Sequence, residues 1–527
     1  MKKYKKNCKW IVLLALCLGL VVAGFADWTF SASDKKDQDV NEYYYNPGGY
    51  NRAVEDYYVA PGFPPYPERA KFLGLLKGSW YEMGVQYGER GAELILLEFD
   101  GMLPDIKFDT IPYTHLKSDL ARYEEQASYY SPELLEFIRG IADGAATELN
   151  KSIYGQYFTN YEKVLFINCH SSLTFRHPLK EDHAPGVWAA SKMNEMASIQ
   201  STPIVEEGCS AFAVIGEKGG AKEQNALATQ NRDIPFFPRT YEVVYIAEPD
   251  DPQANTFWAL SSAGMIMANQ IVNNRGLSIG HLSGGSSYAK DNAFGVPWPF
   301  RMAHAVIFTK DRDDAIEMMT LGTSEYRAAT GRKTLLRDGD SNTIVADRHN
   351  CGVLETTAHW YAVRYPGYSG ETGNYVVTTN HFVFADYSYD ENNVKHEGLG
   401  MTRFGDAAGY ISSGFRFSTL MWLIENNFGE IDDEMAREFM TSHFYVDADG
   451  KIVEKVWNPT YGWIPAQLAP GNPTVCRHSG GYPESNKGST NDGKVANLTK
   501  NIIYWTLGRP CDWVGPWSSV YIRPGRG

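Results

Sequence analysis

Cysteine is scarce in this chain, with seven in 527 residues, so a small core stapled by disulfides is excluded. An excess of basic charge is missing too. With 49 Lys and Arg against 63 Asp and Glu the formal charge is −14, which excludes a nucleic-acid groove built on clustered cations. No Walker loop, Rossmann glycine fingerprint, His-Glu-x-x-His helix or paired Cys-x-x-Cys occurs, so no nucleotide, metal or other cofactor is expected. Beyond the first 26 residues no apolar run reaches the roughly 18 residues of a membrane-spanning helix. No internal repeat is visible. What is present, 43% apolar and 13% aromatic residues with 49 Gly, suits a globular chain with a sizeable buried core.

Lys2, Lys3, Lys5, Lys6 and Lys9 precede an apolar run from Trp10 to Val22, and Gly24 and Ala26 supply small residues before a cleavage point after Ala26. This reads as a signal peptide, residues 1–26, directing export to the periplasm or beyond and leaving a more acidic mature chain without a membrane span. Residues 27–71 read as a flexible Tyr/Pro/Gly-rich lead-in. Residues 72–208 read as a helix-rich segment. Residues 209–527 alternate short strands with helical stretches at 302–321, 407–426 and 432–442, and with strands at 353–365 and 375–384, which predicts an α+β architecture. The Gly, Pro, Asn and Ser-rich stretch 457–497 reads as a long functional loop, and Asp447-Ala448-Asp449-Gly450 as a hairpin turn rather than a calcium loop.

The chemistry concentrates at Gly208-Cys209-Ser210-Ala211-Phe212-Ala213. A cysteine after a glycine at the start of a strand, deep inside an exported chain, fits an N-terminal nucleophile exposed by self-cleavage, or a buried half-cystine. Together with Asn231-Arg232-Asp233 after a second strand, it resembles the acyl-coenzyme A:6-aminopenicillanic acid acyltransferase family of N-terminal-nucleophile cysteine hydrolases. Asn274-Arg275-Gly276-Leu277 and Val377-Thr378-Thr379-Asn380-His381-Phe382 match that family in order. Gly84-Val85-Gln86-Tyr87-Gly88 and Gly140-Ile141-Ala142-Asp143-Gly144 resemble its pro-segment, so the likeness spans roughly 72–515.

The resemblance implies a four-layer αββα sandwich, cleavage between Gly208 and Cys209, and a heterodimer of the two resulting chains. It implies a Cys209 thioester formed on a small-molecule acyl amide, resolved by water or by an acceptor amine, with no cofactor. A thiol of pKa about 8.5 needs a base near neutral pH, and cleavage supplies one, the new α-amine of pKa about 7.7–8.0. Asp233 would hold that amine and Asn380 would donate to the oxyanion. Arg403, which precedes Phe404 as the corresponding Arg precedes a Phe in bile-salt hydrolases and penicillin V acylases, would position the nucleophile or bind a substrate carboxylate. Leu282 and Ser283 stand where the family has an oxyanion Asn, so His281, Ser283, Asn231 or a backbone N–H is expected to contribute.

With Cys209 assigned to catalysis, Cys169, Cys351, Cys476 and Cys511 form an even set, of which Cys476 with Cys511 would clip the long stretch. Two other readings stay open. One is a papain-like Cys-His hydrolase using His381 or His443; the other is a secreted non-enzymatic binding protein.

Overall fold

Alternating β-branched, aromatic and small residues build two large sheets in the computed structural model. It describes residues 45–46, 70–103, 113–174, 208–234, 241–267, 270–284, 294–331, 337–339, 341–383, 386–390, 392–397, 411–459, 462–469, 473–478, 489–512 and 517–524. Arg403 and residues 1–26 lie outside these. The described residues fall within one compact unit, Glu42–Gly527. The protein is α+β, and no described helix is long and apolar enough to cross a membrane.

The seven-stranded sheet is antiparallel, ordered Tyr45–Asn46, Ser518–Tyr521, Ile502–Leu507, Ser489–Asn497, Ala226–Ile234, Gly208–Ile215, Tyr375–Thr378. The ten-stranded sheet runs from Lys395–Glu397 through Tyr387–Tyr389, Tyr361–Arg364, Cys351–Thr356, Ser341–Ala346, Ser278–Ser283, Gln270–Asn273, Phe257–Ser262 and Glu242–Pro249 to Ala70–Gly78. Its last pair is parallel.

Side chains alternate faces along a strand, and this sets where residue 209 looks. Cys209, Ala211, Ala213 and Ile215 share a buried cluster with Val244, Ile246, Trp258 and Leu260 of the larger sheet. Phe212 and Val214 pack instead with Leu420, Ile424 and Phe439, from the helices Ile411–Asn426 and Asp433–Met440. On the larger sheet, Val243, Tyr245, Ala259 and Ile271 share a third cluster with residues of helices Trp80–Met102, Pro132–Gly144, Asn160–Thr174 and Trp298–Phe308.

The helix-rich segment is thus part of a common core. It also opens with a strand, Ala70–Gly78, which periodicity did not indicate. Its glycines let two helix backbones touch: a Cβ at Gly84 would lie 2.2 Å from the Phe137 carbonyl oxygen, and one at Gly140 would lie 2.1 Å from that of Tyr81. Tyr87, between Gly84 and Gly88, accepts a 3.0 Å hydrogen bond from Gly264 N.

Two sequence expectations need correction. The helix expected over 302–321 is two helices, Trp298–Phe308 and Arg312–Leu321, the second capped by Asp311, whose side chain accepts from Asp314 N. The loop expected over 457–497 contains part of a hairpin, Lys455–Asn458 with Gly462–Pro465, and ends in the central strand Ser489–Asn497. That strand reads Ser-Thr-Asn-Asp-Gly-Lys-Val-Ala-Asn, a polar pattern that ordinarily marks a turn. It is a strand because its polar side chains meet buried partners. The turn expected at Asp447–Gly450 joins Tyr445–Val446 to Ile452–Val453, with Asp447 Oδ1 accepting from Asp449 N at 3.0 Å and Lys451 N at 2.9 Å.

Candidate active site

Cys209 is 5% exposed, at the start of its strand. Thr378 pairs with Ala211, so the chain continuing past Thr378 carries Asn380 to the main chain of Cys209. Cys209 N donates to Asn380 Oδ1 at 2.8 Å, and Arg416 Nη2 donates to the same oxygen at 2.9 Å. Two donors on one atom fix it as the amide oxygen. Asn380 Nδ2 donates to Ser283 O at 3.0 Å, bridging to the larger sheet. Asn380 N donates to Ser413 Oγ at 2.8 Å, and Asn342 Nδ2 braces the segment through Thr379 O at 2.8 Å and His381 O at 3.0 Å.

Arg416 is fully buried and was missed by the sequence reading. It also donates to Cys209 O and, at 2.9 Å, to Ser210 Oγ. Two signals could have found it. Arg416 precedes Phe417, the same dipeptide that drew notice at Arg403-Phe404. It also lies on the buried stripe Ser412, Ser413, Arg416, Thr419, Leu420, Leu423 and Ile424, the core-facing side of a helix. One ammonium cannot replace a planar fork that serves acceptors on three residues. Arg416→Lys is therefore expected to destabilise the folded protein by about 1–3 kcal/mol, the cost of leaving buried acceptors short of a donor. Urea unfolding checks this.

Asp233 pairs across the ladder with Gly208, and Arg232 with Cys209. Asp233 is fully buried; Oδ1 accepts from Thr490 Oγ1 at 2.6 Å, and Oδ2 lies 3.5 Å from Arg477 Nη1. Burial pushes this carboxyl above its ordinary range, while Arg477, Arg416 and the Thr490 hydrogen bond oppose the rise. A Cβ at residue 208 would lie 1.9 Å from Arg477 Nη1 and 2.8 Å from Asp233 Oδ2, so a side chain there would displace the Arg477 guanidinium. The glycine thus brings the scissile-bond candidate against the carboxylate.

A buried charge cluster lies on the inner face. Arg232 bonds Asp492 Oδ2 at 2.6 Å and also Glu242, and Lys494 Nζ lies 3.5 Å from Asp492 Oδ1. Burial raises Glu242, Arg232 opposes it, and Asp492 raises it further. Burial also pushes Asp492 up, but Arg232, Lys494 and the hydrogen bond with Glu242 hold it below its ordinary value. Burial brings Lys494 down to about 8, with Asp492 and the Cys209 sulfur among the groups opposing.

The remaining expected residues make the following contacts. Asn231 Nδ2 donates to Met440 O at 2.8 Å and Val475 O at 3.0 Å, a structural tie. His281 stacks on Trp298 at 4.0 Å and bonds Ser341 Oγ through Nδ1 at 2.9 Å. Ser283 contributes its carbonyl to Asn380, as above. Cys209 opens a strand rather than a helix, His381 Nδ1 lies 2.8 Å from Ser413 Oγ, and His443 lies against His478, which does not favour a papain-like pair. Cys476 and Cys511, expected as a disulfide, are not bridged in the structure.

No family model matches the chain. An uncharacterized protein of Archaeoglobus fulgidus is 25% identical over 400 residues, covering 70% of this chain and 57% of that relative. The chain therefore spans little more than half the length of the curated relative it matches. Two mutant forms of the conjugated bile acid hydrolase from Clostridium perfringens are similar at TM-scores of 0.32 and 0.27. Each is 12% identical and covers 57% of this chain and 89% of its own.

Proposed function

We propose that this chain is an exported, self-processing cysteine hydrolase of linear amides, with a four-layer αββα architecture and Cys209 as nucleophile. The observation that carries the reading is that the main chain of Cys209 is gripped on both sides. Asn380 accepts from its N–H, Arg416 donates to its carbonyl, and Asp233 lies against Gly208. The ladder with Tyr375–Thr378 ends at Ala211, and past it the buried N–H and carbonyl of residue 209 are met by an asparagine amide and a guanidinium.

In this reading the Cys209 sulfur attacks the Gly208 carbonyl, the peptide nitrogen departs as the α-amine of Cys209, and water hydrolyses the resulting thioester. Residues 72–208 stay bound through the shared core, giving a heterodimer. The freed amine, held by Asn380 Oδ1 and close to Asp233, then takes the thiol proton as the sulfur attacks a substrate amide. The second N–H of Asn380 Nδ2 serves the oxyanion. The proton passes to the leaving amine, and water releases the acid from the thioester. Hydrolysis is favoured over acyl transfer because an acyl-coenzyme A donor is intracellular.

Mass spectrometry of the purified mature protein is expected to show two chains, the larger beginning at Cys209. That protein is expected to release amine from a panel of N-acyl amides. A single uncut chain that releases none would overturn the reading and favour a non-enzymatic binding protein.

A further inference from the structure

Away from Cys209, among the described residues, four side chains from three stretches of chain converge. They are His443 after the helix Asp433–Met440, Cys476 and His478 on one short segment, and Cys511 in the turn Pro510–Asp512. Their ligand atoms all lie within 4.8 Å of one another. His478 Nε2 is 3.0 Å from His443 Nε2 and 3.1 Å from Cys511 Sγ. We propose that these four residues form a tetrahedral site for one Zn²⁺ ion.

The donor set fits that ion. Two thiolates and two imidazoles suit a borderline-soft d¹⁰ cation and do not suit calcium or magnesium, which take oxygen. Zn–S of about 2.3 Å and Zn–N of about 2.0–2.1 Å place tetrahedral donors roughly 3.3–3.8 Å apart. The two close contacts at His478 therefore need to open by only a few tenths of an ångström.

The frame around the ligands is already tied together. Cys476 N donates to Ser442 O at 3.1 Å, which fixes the neighbour of His443 against the cysteine. Thr474 Oγ1 donates to Cys476 O at 2.8 Å, and Arg477 N donates to Thr490 Oγ1 at 2.8 Å. Cys476 and His478, two apart in sequence, both reach the cluster, while Arg477 between them turns to Asp233, 3.5 Å from its Oδ2. A metal there would pin the residue that supports the Asp233 carboxylate.

Binding has a proton cost. Each thiol releases its proton to solvent. Arg509 Nη1 lies 3.0 Å from His478 Nδ1, and a guanidinium only donates, so in the metal-free form Nδ1 accepts and Nε2 carries the proton. On metallation that proton moves to Nδ1, the metal takes Nε2, and Arg509 turns aside.

The site does not rest on the amide-hydrolase reading, and its test uses no substrate. The mature chain would be purified without reductant from zinc-supplemented cells and its metal content measured by mass spectrometry, with thiols mapped by alkylation. About one zinc per chain is expected, falling at least 10-fold in Cys476→Ser and His478→Ala. Exchange into Co²⁺ is expected to give the visible ligand-field bands of a tetrahedral thiolate complex, read on the wild-type protein so that variant folding is not at issue. A Cys476–Cys511 disulfide in the isolated protein would overturn the proposal. So would folded protein with reduced thiols that takes up neither zinc nor cobalt.

Discussion

Cys209→Ala is expected to accumulate as one uncut chain with amide turnover lower by about 10⁶-fold, the scale set by loss of a nucleophile in a coupled catalytic unit. The variant should fold. It removes one sulfur from a strand position flanked by Ala211 and Ala213 on the same face, a cost of about 1 kcal/mol. Asn380 and Arg416 bind the main chain of residue 209 rather than its side chain, so the alanine protein keeps their contacts. Cys209→Ser is the informative companion. Its hydroxyl is a poorer nucleophile, so slow cutting at the same bond is expected, followed by feeble turnover. Intact-mass spectra over days of storage distinguish the three proteins, and cutting of the alanine variant at Gly208–Cys209 would assign the cleavage to a contaminating protease.

How much of this site could be read from sequence depends on how local each signal is. Cys209, Asp233 and Asn380 sit in short strands and turns whose neighbours are adjacent in sequence, and the structure brings all three to one bond. Arg416 comes from a helix some 200 residues away, and its local marks are slight, the Arg-Phe dipeptide and a charge on an otherwise uncharged core-facing stripe. Lys494 and Asp492 were hidden for a different reason. Their strand is written in turn-forming residues, and only the opposing Arg232 and Glu242 make burial of such a segment tolerable. The sheets were legible from alternation, while the strand Ala70–Gly78 was not, because its edge position and parallel partner leave little two-residue pattern. The His443, Cys476, His478 and Cys511 cluster has one short spacing among its ligands. Topology supplies the rest.

Lys494→Met is expected to make the protein more stable and the enzyme slower. Lys494 is fully buried, with a pKa near 8 against the ordinary 10.5. Between these values the unfolded chain binds a proton that the folded chain does not, so wild-type stability should rise as pH climbs from about 8 to 10.5. Below that window both states are protonated and the full penalty of the buried ammonium applies, roughly 3 kcal/mol at 1.36 kcal/mol per pK unit. Methionine fills similar space without the charge, and Asp492 keeps Arg232 and Glu242 as partners. Urea unfolding at about pH 7 should therefore show a gain of up to about 3 kcal/mol, with the rise above pH 8 abolished. The catalytic effect has the opposite sign. Lys494 interacts electrostatically with the Cys209 sulfur, so its positive charge stabilises the negative charge that develops on sulfur during attack. Removing that cation should slow alkylation of Cys209 and amide turnover by about 10-fold near neutral pH, a barrier change of about 1.4 kcal/mol. A variant that is less stable at pH 7, or one that reacts with iodoacetamide as fast as the wild type, would show that the lysine serves packing alone.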